Sequence, residues 1–492
     1  TLFTRNTARS NGGGIFNWNS SSPSMINSTM YGNTATNGGA FYNIGVSSPV
    51  ISNAVIWGNS PLLSDQSAII SYSNVESPSF YPGTGNLKSN PLFYNVDDAD
   101  GPDNIWGTSD DGLTLLAGST ASNSGNNGAI PAGITGDISG TVRIQQGTVD
   151  RGAYEGSSCT QSVLYVDNSI SRSGNGGTWA TAFKEVREAL AVASQCSNVN
   201  TIHVAKGTYL PTDDGDRDVT FPILRGGLKI YGGYPSGGGT RNAAVNATTL
   251  SGDLGNAFDN SDNSYHVVVI AGVGAGADSL VLDGFIIKGG NANGSAMAKN
   301  YNGFGVQRNE GGGLYLRSNA ANGKVAIRNC VIFDNATGTY GGGFLNHLSS
   351  PSITNCVLTN NQASSGAGMF NFNNSSPAIS NSIFIQNTAQ ATGGGMYNWN
   401  NVSPIILNCT FTGNVATHGG AIANTSATPV VTNSIIWNNS SSFNDETATV
   451  TYSIVDRTLL YPGTGNLKSN PSFLNPADPN GADNIFGTAE TA

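Results

Sequence analysis

The sequence predicts an all-β protein, a right-handed parallel β-helix built from three-faced coils of about 26 residues. Three observations carry that expectation. Asparagines recur in rows at spacings of 25 to 27 residues, short apolar strands fill the intervals, and Gly, Asn, Ser and Thr take the place of charge at the surface. Charged residues make up 11% of the 492 and hydrophobic residues 38%, too apolar a balance for a disordered chain. The net charge of −10 argues against a nucleic-acid surface. No run of 18 apolar residues is present to span a membrane as a helix.

The coils are plainest in the second half. Glycine blocks open at Gly341, Gly366, Gly393 and Gly419, and each runs into an Asn, at 346, 371, 398 and 424. A second row is Asn329, Asn355, Asn381, Asn408 and Asn433, and a third is Asn335, Asn361, Asn387, Asn414 and Asn439. Three rows at one period imply three corners per coil. Asn tolerates left-handed backbone, and its amide can bond the Asn one coil away. Between corners, Ile353, Ile379, Ile406 and Val431 form one inward row, and Ile332, Leu358, Phe384, Phe411 and Ile436 another. Identical positions recur at each step, so strands should stack parallel and in register, about 4.8 Å apart.

A longer repeat encloses the short one. Residues 1–108 match 382–488, and Tyr81–Pro91 recurs identically as Tyr461–Pro471. The unit is thus about 380 residues, and the expectation is a tandem array in a larger protein. Residues 1–80 are the C-terminal coils of one unit, and 81–161 an acidic junction module. Residues 162–460 form a full unit, and 461–492 start the next junction. Trp179, Phe183, Val186, Leu190 and Ala193 share one helical face, so 179–194 reads as a helix capping the open strand edges.

Several stretches resemble bacterial surface β-helix proteins. They are Gly177–Phe183 (Gly-Thr-Trp-Ala-Thr-Ala-Phe), Val204–Tyr209 (Val-Ala-Lys-Gly-Thr-Tyr), Leu282–Ile287, and the closing Asp150-Arg151-Gly152-Ala153-Tyr154-Glu155. The Gly-Gly-Ala-Ile style of coil is also similar to polymorphic outer-membrane protein repeats. The resemblance implies a secreted or surface-attached protein of a Bacteroidota-type adhesin system. It implies extension and attachment as the role, and names no ligand.

Binding candidates are sparse. Asp98, Asp100, Asp103, Asp110 and Asp111 place hard oxygens around Gly101, which suits calcium, although the distal Glu of a full calcium loop is missing and a plain Asx-rich turn is the alternative. Cys159 and Cys196 lie outside the repeat and either pair or stay as buried thiols. An outward row of Val331, Val357, Ile383, Thr410 and Ile435, beside Phe333, Ile385 and Trp437, is too apolar for open solvent. It should pack against another copy or against a loop of its own chain. The aromatics Phe370, Phe372, Tyr397 and Trp399 read as an interface, a self-stacked ladder or a sugar-binding strip.

The enzyme reading finds little. The coils hold almost no carboxylates, and His203, His266, His347 and His418 form no pattern. Asp213, Asp214, Asp216, Arg217 and Asp218 read as a solvated loop, with a metal or substrate site as the alternative. The expectation is a non-enzymatic, self-associating extracellular filament segment. A glycan-binding adhesin module and a polysaccharide lyase-like helix are the alternatives.

Overall fold

The computed structural model describes residues 1–473, apart from 62–66, 78, 97, 102–103, 109–110, 117–118, 146, 157–160, 172, 214, 257–258, 275–279 and 320–324. The chain parts into two compact units. The first holds Thr1–Gln161, Arg172–Asn175 and Ala191–Asn198. The second holds Ser162–Ser171, Gly176–Leu190 and Val199–Ala492.

The second unit is a right-handed parallel β-helix. A ten-stranded sheet runs from Val163–Val166 to Thr449–Thr451, a nine-stranded sheet from Gly207–Tyr209 to Ile454–Val455, and a seven-stranded sheet from Phe221–Ile223 to Ile422–Ala427. Each complete coil contributes one strand to each in turn, and the coils at the two ends of the stack lack one or two of them. Neighbours pair parallel and in register, as in Ile353 to Ile379 to Ile406 to Val431, except for shifts at His203–Ala205 and Trp399–Val402. These side chains are buried, as are those of Ile332, Leu358, Phe384, Phe411 and Ile436. Phe384 and Phe411 stack at 4.5 Å with planes 6° apart. Among the described residues, no helix is long and apolar enough to cross a membrane.

The Asn rows serve three different purposes. Asn329, Asn355, Asn381, Asn408 and Asn433 are true corners, with φ between 49° and 57°, joining the ten-stranded sheet to the nine-stranded one. Asn335, Asn361, Asn387 and Asn414 are buried. Each sends Nδ2 back to a carbonyl one coil earlier, as Asn387 does to Leu358 O at 2.8 Å. Asn361, Asn387 and Asn414 also present Oδ1 to the preceding Asn, as Asn387 does to Asn361 N (3.1 Å) and Nδ2 (2.9 Å), while Asn335 Oδ1 takes Gly290 N at 3.0 Å. The expectation of a third corner row fails at Asn346, Asn371, Asn398 and Asn424. These stand inside strands of the seven-stranded sheet and point inward. Nδ2-to-Oδ1 bonds of 2.7, 2.8 and 3.0 Å link them. Pleat parity explains the difference: Phe370 and Phe372 face outward, so Asn371 between them must face in. The corner itself falls two or three residues later, at Asn373 and Asn374.

The expected helix is shorter at its start. The α-helix is Val186–Gln195, and Trp179–Thr181 is a separate 3-10 turn. Phe183 lies in extended backbone beside Val166, donating N–H to Tyr165 O and accepting from Asp167 N at 2.8 Å each. Trp179 packs on Tyr165 and Tyr234 instead of joining the helical face. Cys196 is disulfide-bonded and buried, while Cys330, Cys356 and Cys409 are buried free thiols. Cys159 lies outside the described residues.

In the first unit, Leu2, Thr29, Val55 and Asn74 form one parallel row, and Thr4, Tyr31 and Trp57 another. Its last coil closes on Asn86, whose Nδ2 bonds Ile70 O (2.9 Å), Tyr81 O (3.3 Å) and Pro82 O (3.2 Å). Asn466 makes the same three contacts in the second unit, at 2.9, 3.2 and 3.2 Å.

Candidate functional site

The outward apolar row is the feature most in need of a partner, and in the first unit it has one. The junction segment lies against the coils of residues 1–80. Ala99, Leu113, Ala153 and Tyr154 pack with Leu2 and Tyr31, and Leu115 and Ala121 with Val55 and Trp57. Thr29 and Val55 are consequently buried. The counterpart of the predicted row among residues 2–57 is thus covered by a loop of its own chain.

The sextet Asp150–Glu155 is the clamp. Asp150 accepts from Asn123 N (2.5 Å) and Gly156 N (2.6 Å), and its carbonyl takes Asn27 Nδ2 at 2.9 Å. Arg151 donates Nη1 to Ser73 O (3.1 Å), and Nε and Nη2 to Ser124 O (3.1 and 2.7 Å). Gly152 donates to Asn53 O at 2.8 Å. Its φ is +100°, and a Cβ there would meet Thr29 Oγ1 at 2.9 Å and Val55 Cγ2 at 3.2 Å. Only glycine allows that approach. Ala153 N donates to Thr29 Oγ1 at 3.0 Å. Tyr154 OH donates to Asp111, and Glu155 pairs with Arg143 at 3.1 Å. Asn53 adds a reciprocal bond with the backbone of Asn126, donating at 3.0 Å and accepting at 2.7 Å.

Burial controls the charges of this clamp. Desolvation, then the neighbouring Asp150 charge, pushes the Glu155 carboxyl up to about 8. Asp150 is also raised, by desolvation. Desolvation lowers Arg151 to about 10.

The calcium candidates are divided by the structure. Asp111 is buried and accepts from Gly107 N (2.7 Å), Thr108 Oγ1 (3.2 Å) and Tyr154 OH. Its carboxylate is occupied in tying the junction together. Asp98 and Asp100 are half-buried, in a turn closed by Gly101 N to Asp98 O at 3.1 Å. Asp103 and Asp110 lie outside the described residues. Among the described residues, no three His, Cys, Asp or Glu side chains gather as a metal-holding group.

In the second unit the outward row is unevenly covered. Val357 and Ile385 are buried, and Val331, Phe333, Ile383, Ile435 and Trp437 are half-buried. On the seven-stranded sheet, Phe370, Phe372, Tyr397 and Trp399 stack on one another, Phe372 lying 5.0 Å from Trp399 and Phe370 5.3 Å from Tyr397. A hairpin of Ala298–Tyr301 and Phe304–Gln307 sets Tyr301 and Val306 in the same cluster. Tyr397 and Trp399 are left half-exposed.

The acidic loop is pinned, which its sequence did not suggest. Asp218 takes Arg308 Nε and Nη2 at 2.5 and 2.7 Å, and its carbonyl takes Lys299 Nζ and Tyr301 OH. Arg217 sits 4.3 Å over the Tyr265 ring. These bonds tether the hairpin. His266 is buried with Nδ1 2.8 Å from Gly311 O, and desolvation pulls its pKa down to about 4. Desolvation and then the Arg317 charge bring His347 to about 4 as well.

No family model and no curated protein matches the chain. Two solved structures overlay loosely. Pectin methylesterase from carrot has a TM-score of 0.32 at 11% identity, covering 63% of this chain and 84% of that one. The Escherichia coli protein ybhc has a TM-score of 0.29 at 14% identity, covering 66% and 89%. Likeness at this level carries no argument about activity, and the fold rests on the strand ladders themselves.

Proposed function

We propose that the chain is a structural tandem-repeat segment of a large extracellular filament or adhesin, similar in kind to the bacterial surface β-helix proteins its motifs resemble. The supporting observation is the duplicated end. Both copies of Tyr-Pro-Gly-Thr-Gly-Asn close a coil stack with the same three Asn-amide bonds. Tyr81 and Tyr461 each bond a carbonyl 13 residues back at 3.3 Å. A stack whose terminator repeats with it suits a part whose number sets reach. The role in this reading is non-catalytic and exported, and attachment follows from presenting the array at a cell surface.

Electron microscopy of chains carrying additional repeat units tests it. Rods that lengthen by a constant increment per unit are expected. Particles whose long axis does not grow with repeat number would overturn the proposal.

The half-exposed Tyr397 and Trp399 favour one second reading, a glycan-binding module, since flat rings in a row suit sugar faces. Binding on a glycan array that vanishes in Trp399→Ser would move the assignment there. Release of an unsaturated sugar absorbing in the ultraviolet would instead assign a lyase.

A further inference from the structure

The junction and its clamp in the first unit contact residues that recur, at the same coil positions, in the second. Asn27, Thr29, Asn53, Trp57 and Ser73 correspond to Asn408, Thr410, Asn433, Trp437 and Ser453, with no change of residue type. Val55 becomes Ile435. The strand registers also agree: Leu2 to Thr29 to Val55 in one, Ile383 to Thr410 to Ile435 in the other. The corners agree too, Asn27 and Asn53 at φ 47° and 52°, Asn408 and Asn433 at 54° and 51°.

What differs is cover. Asn53 is 0% exposed, Val55 0% and Thr29 1%. Asn433 and Asn408 are exposed, and Thr410 and Ile435 are half-exposed. A coil needs an Asn at the left-handed corner whether or not anything lies outside it. It does not need Thr at 410 for its own backbone, nor Ile and Trp facing outward at 435 and 437.

We infer that the face formed by Asn408, Thr410, Asn433, Ile435 and Ser453 is a docking seat. Its occupant is a junction module of the type of residues 93–156, closed by an Asp-Arg-Gly-Ala-Tyr-Glu clamp. The glycine of that clamp seats against Thr410 and Ile435. The arginine takes the Ser453 carbonyl, and the two corner asparagines take the module's backbone. This holds whether the array serves as a rod, an adhesin or something else, because it depends only on the duplicated seat.

The test uses the full chain with residues 473–492 replaced by a second copy of residues 93–156. Ile435→Cys is introduced in both the parent and the extended chain, and labelling by a thiol reagent is followed. Cys330, Cys356 and Cys409 are buried and give the background rate. In the extended chain, labelling at 435 should slow by about tenfold or more, because it must wait for local opening. Placing Val at the clamp glycine of the added copy should restore the parent rate. Replacing Asn408 and Asn433 together by Gly, which keeps the left-handed corners, should restore most of it. Labelling as fast in the extended chain as in the parent overturns the inference, whether or not the added segment folds, since the seat would then have failed to order it.

Discussion

The coils of residues 1–80 and those of 382–460 are built to one pattern, yet their outer faces live in different surroundings. In the first, Thr29 and Val55 lie under the junction segment, and Asn27 and Asn53 spend their amides on its backbone. In the second, Asn408 donates to Asn381 of its own ladder at 3.3 Å and faces solvent. The inner rows do not register the difference: Met30 and Phe411, or Ile56 and Ile436, are equally buried. A β-helix therefore keeps its folding information inside and leaves its outer face free to hold a second set of instructions.

The sharpest way to break the comparison is to remove the clamp. Arg151→Ala removes three charge-assisted bonds, one to the buried Ser73 carbonyl, which keeps only Leu87 N, and two to the half-buried Ser124 carbonyl, and should cost the first unit about 3 kcal/mol or more. Hydrogen exchange resolved by peptide should place the loss in residues 1–161 and leave residues 325–455 unmoved. Equal loss in both regions would mean that the units do not unfold separately.

The Asn rows give the next largest effect. Asn387→Ala removes one amide from four ladder bonds in the core and should cost about 2–3 kcal/mol. Asn381→Ala, at an exposed corner of φ 49°, should cost about 1–2 kcal/mol, and Asn381→Gly much less. Denaturant unfolding of the three variants checks the order. A corner as costly as the ladder would refute the division of roles.

Glu155 of the first unit and the buried histidines of the second should also respond oppositely to pH. Glu155 is raised in the first unit, so the stability it contributes is fully present below its ordinary value near 4.5 and is lost as pH rises through about 8. His266 and His347 are lowered in the second, so theirs is present above about 6.5 and is lost as pH falls towards 4. Melting followed by exchange at pH 5 and pH 8, compared between the parent and single variants, should therefore show contributions of opposite sign, with Glu185, raised to about 7 by desolvation, partly offsetting the histidines in the second unit. Glu155→Gln should flatten the first slope and His266→Gln part of the second.

The smallest effect belongs to the aromatic strip. Trp399→Ser removes a half-exposed ring stacked on Phe372 and should cost about 1 kcal/mol with no change in oligomer size. A shift in sedimentation would return the strip to the role of an intermolecular interface.

Much of this fold was legible because a stack of identical coils must place identical positions in one row. Ile353, Ile379, Ile406 and Val431 could only be neighbours. Asn371 was misread because Asn usually marks a turn. The signal against it lay in the flanking Phe370 and Phe372, whose alternation turns the residue between them inward. The helix was overextended because Trp179 and Phe183 fit its period, while Phe183 instead bonds the backbone of Tyr165 and Asp167 beside the sheet edge. The clamp was invisible because its contacts span 123 residues between Asn27 and Asp150 and 78 between Ser73 and Arg151. No local pattern encodes such a meeting, and only the finished coils create the surface that the sextet recognises.

The one-way stacking of coils bears on how such a unit yields to a pull. A load along the stack falls on the backbone bonds between one coil and the next, and these open in sequence like a zipper. Each coil released between Ile327 and Val431 frees 25 to 27 residues, or about 90 Å of extended chain. The buried amide ladder from Asn335 to Asn439 makes these steps alike, since each Asn bonds only the coils beside it. Under tension, residues 327–431 would act as a brake that pays out line in nearly equal lengths, recoiling when the tension drops.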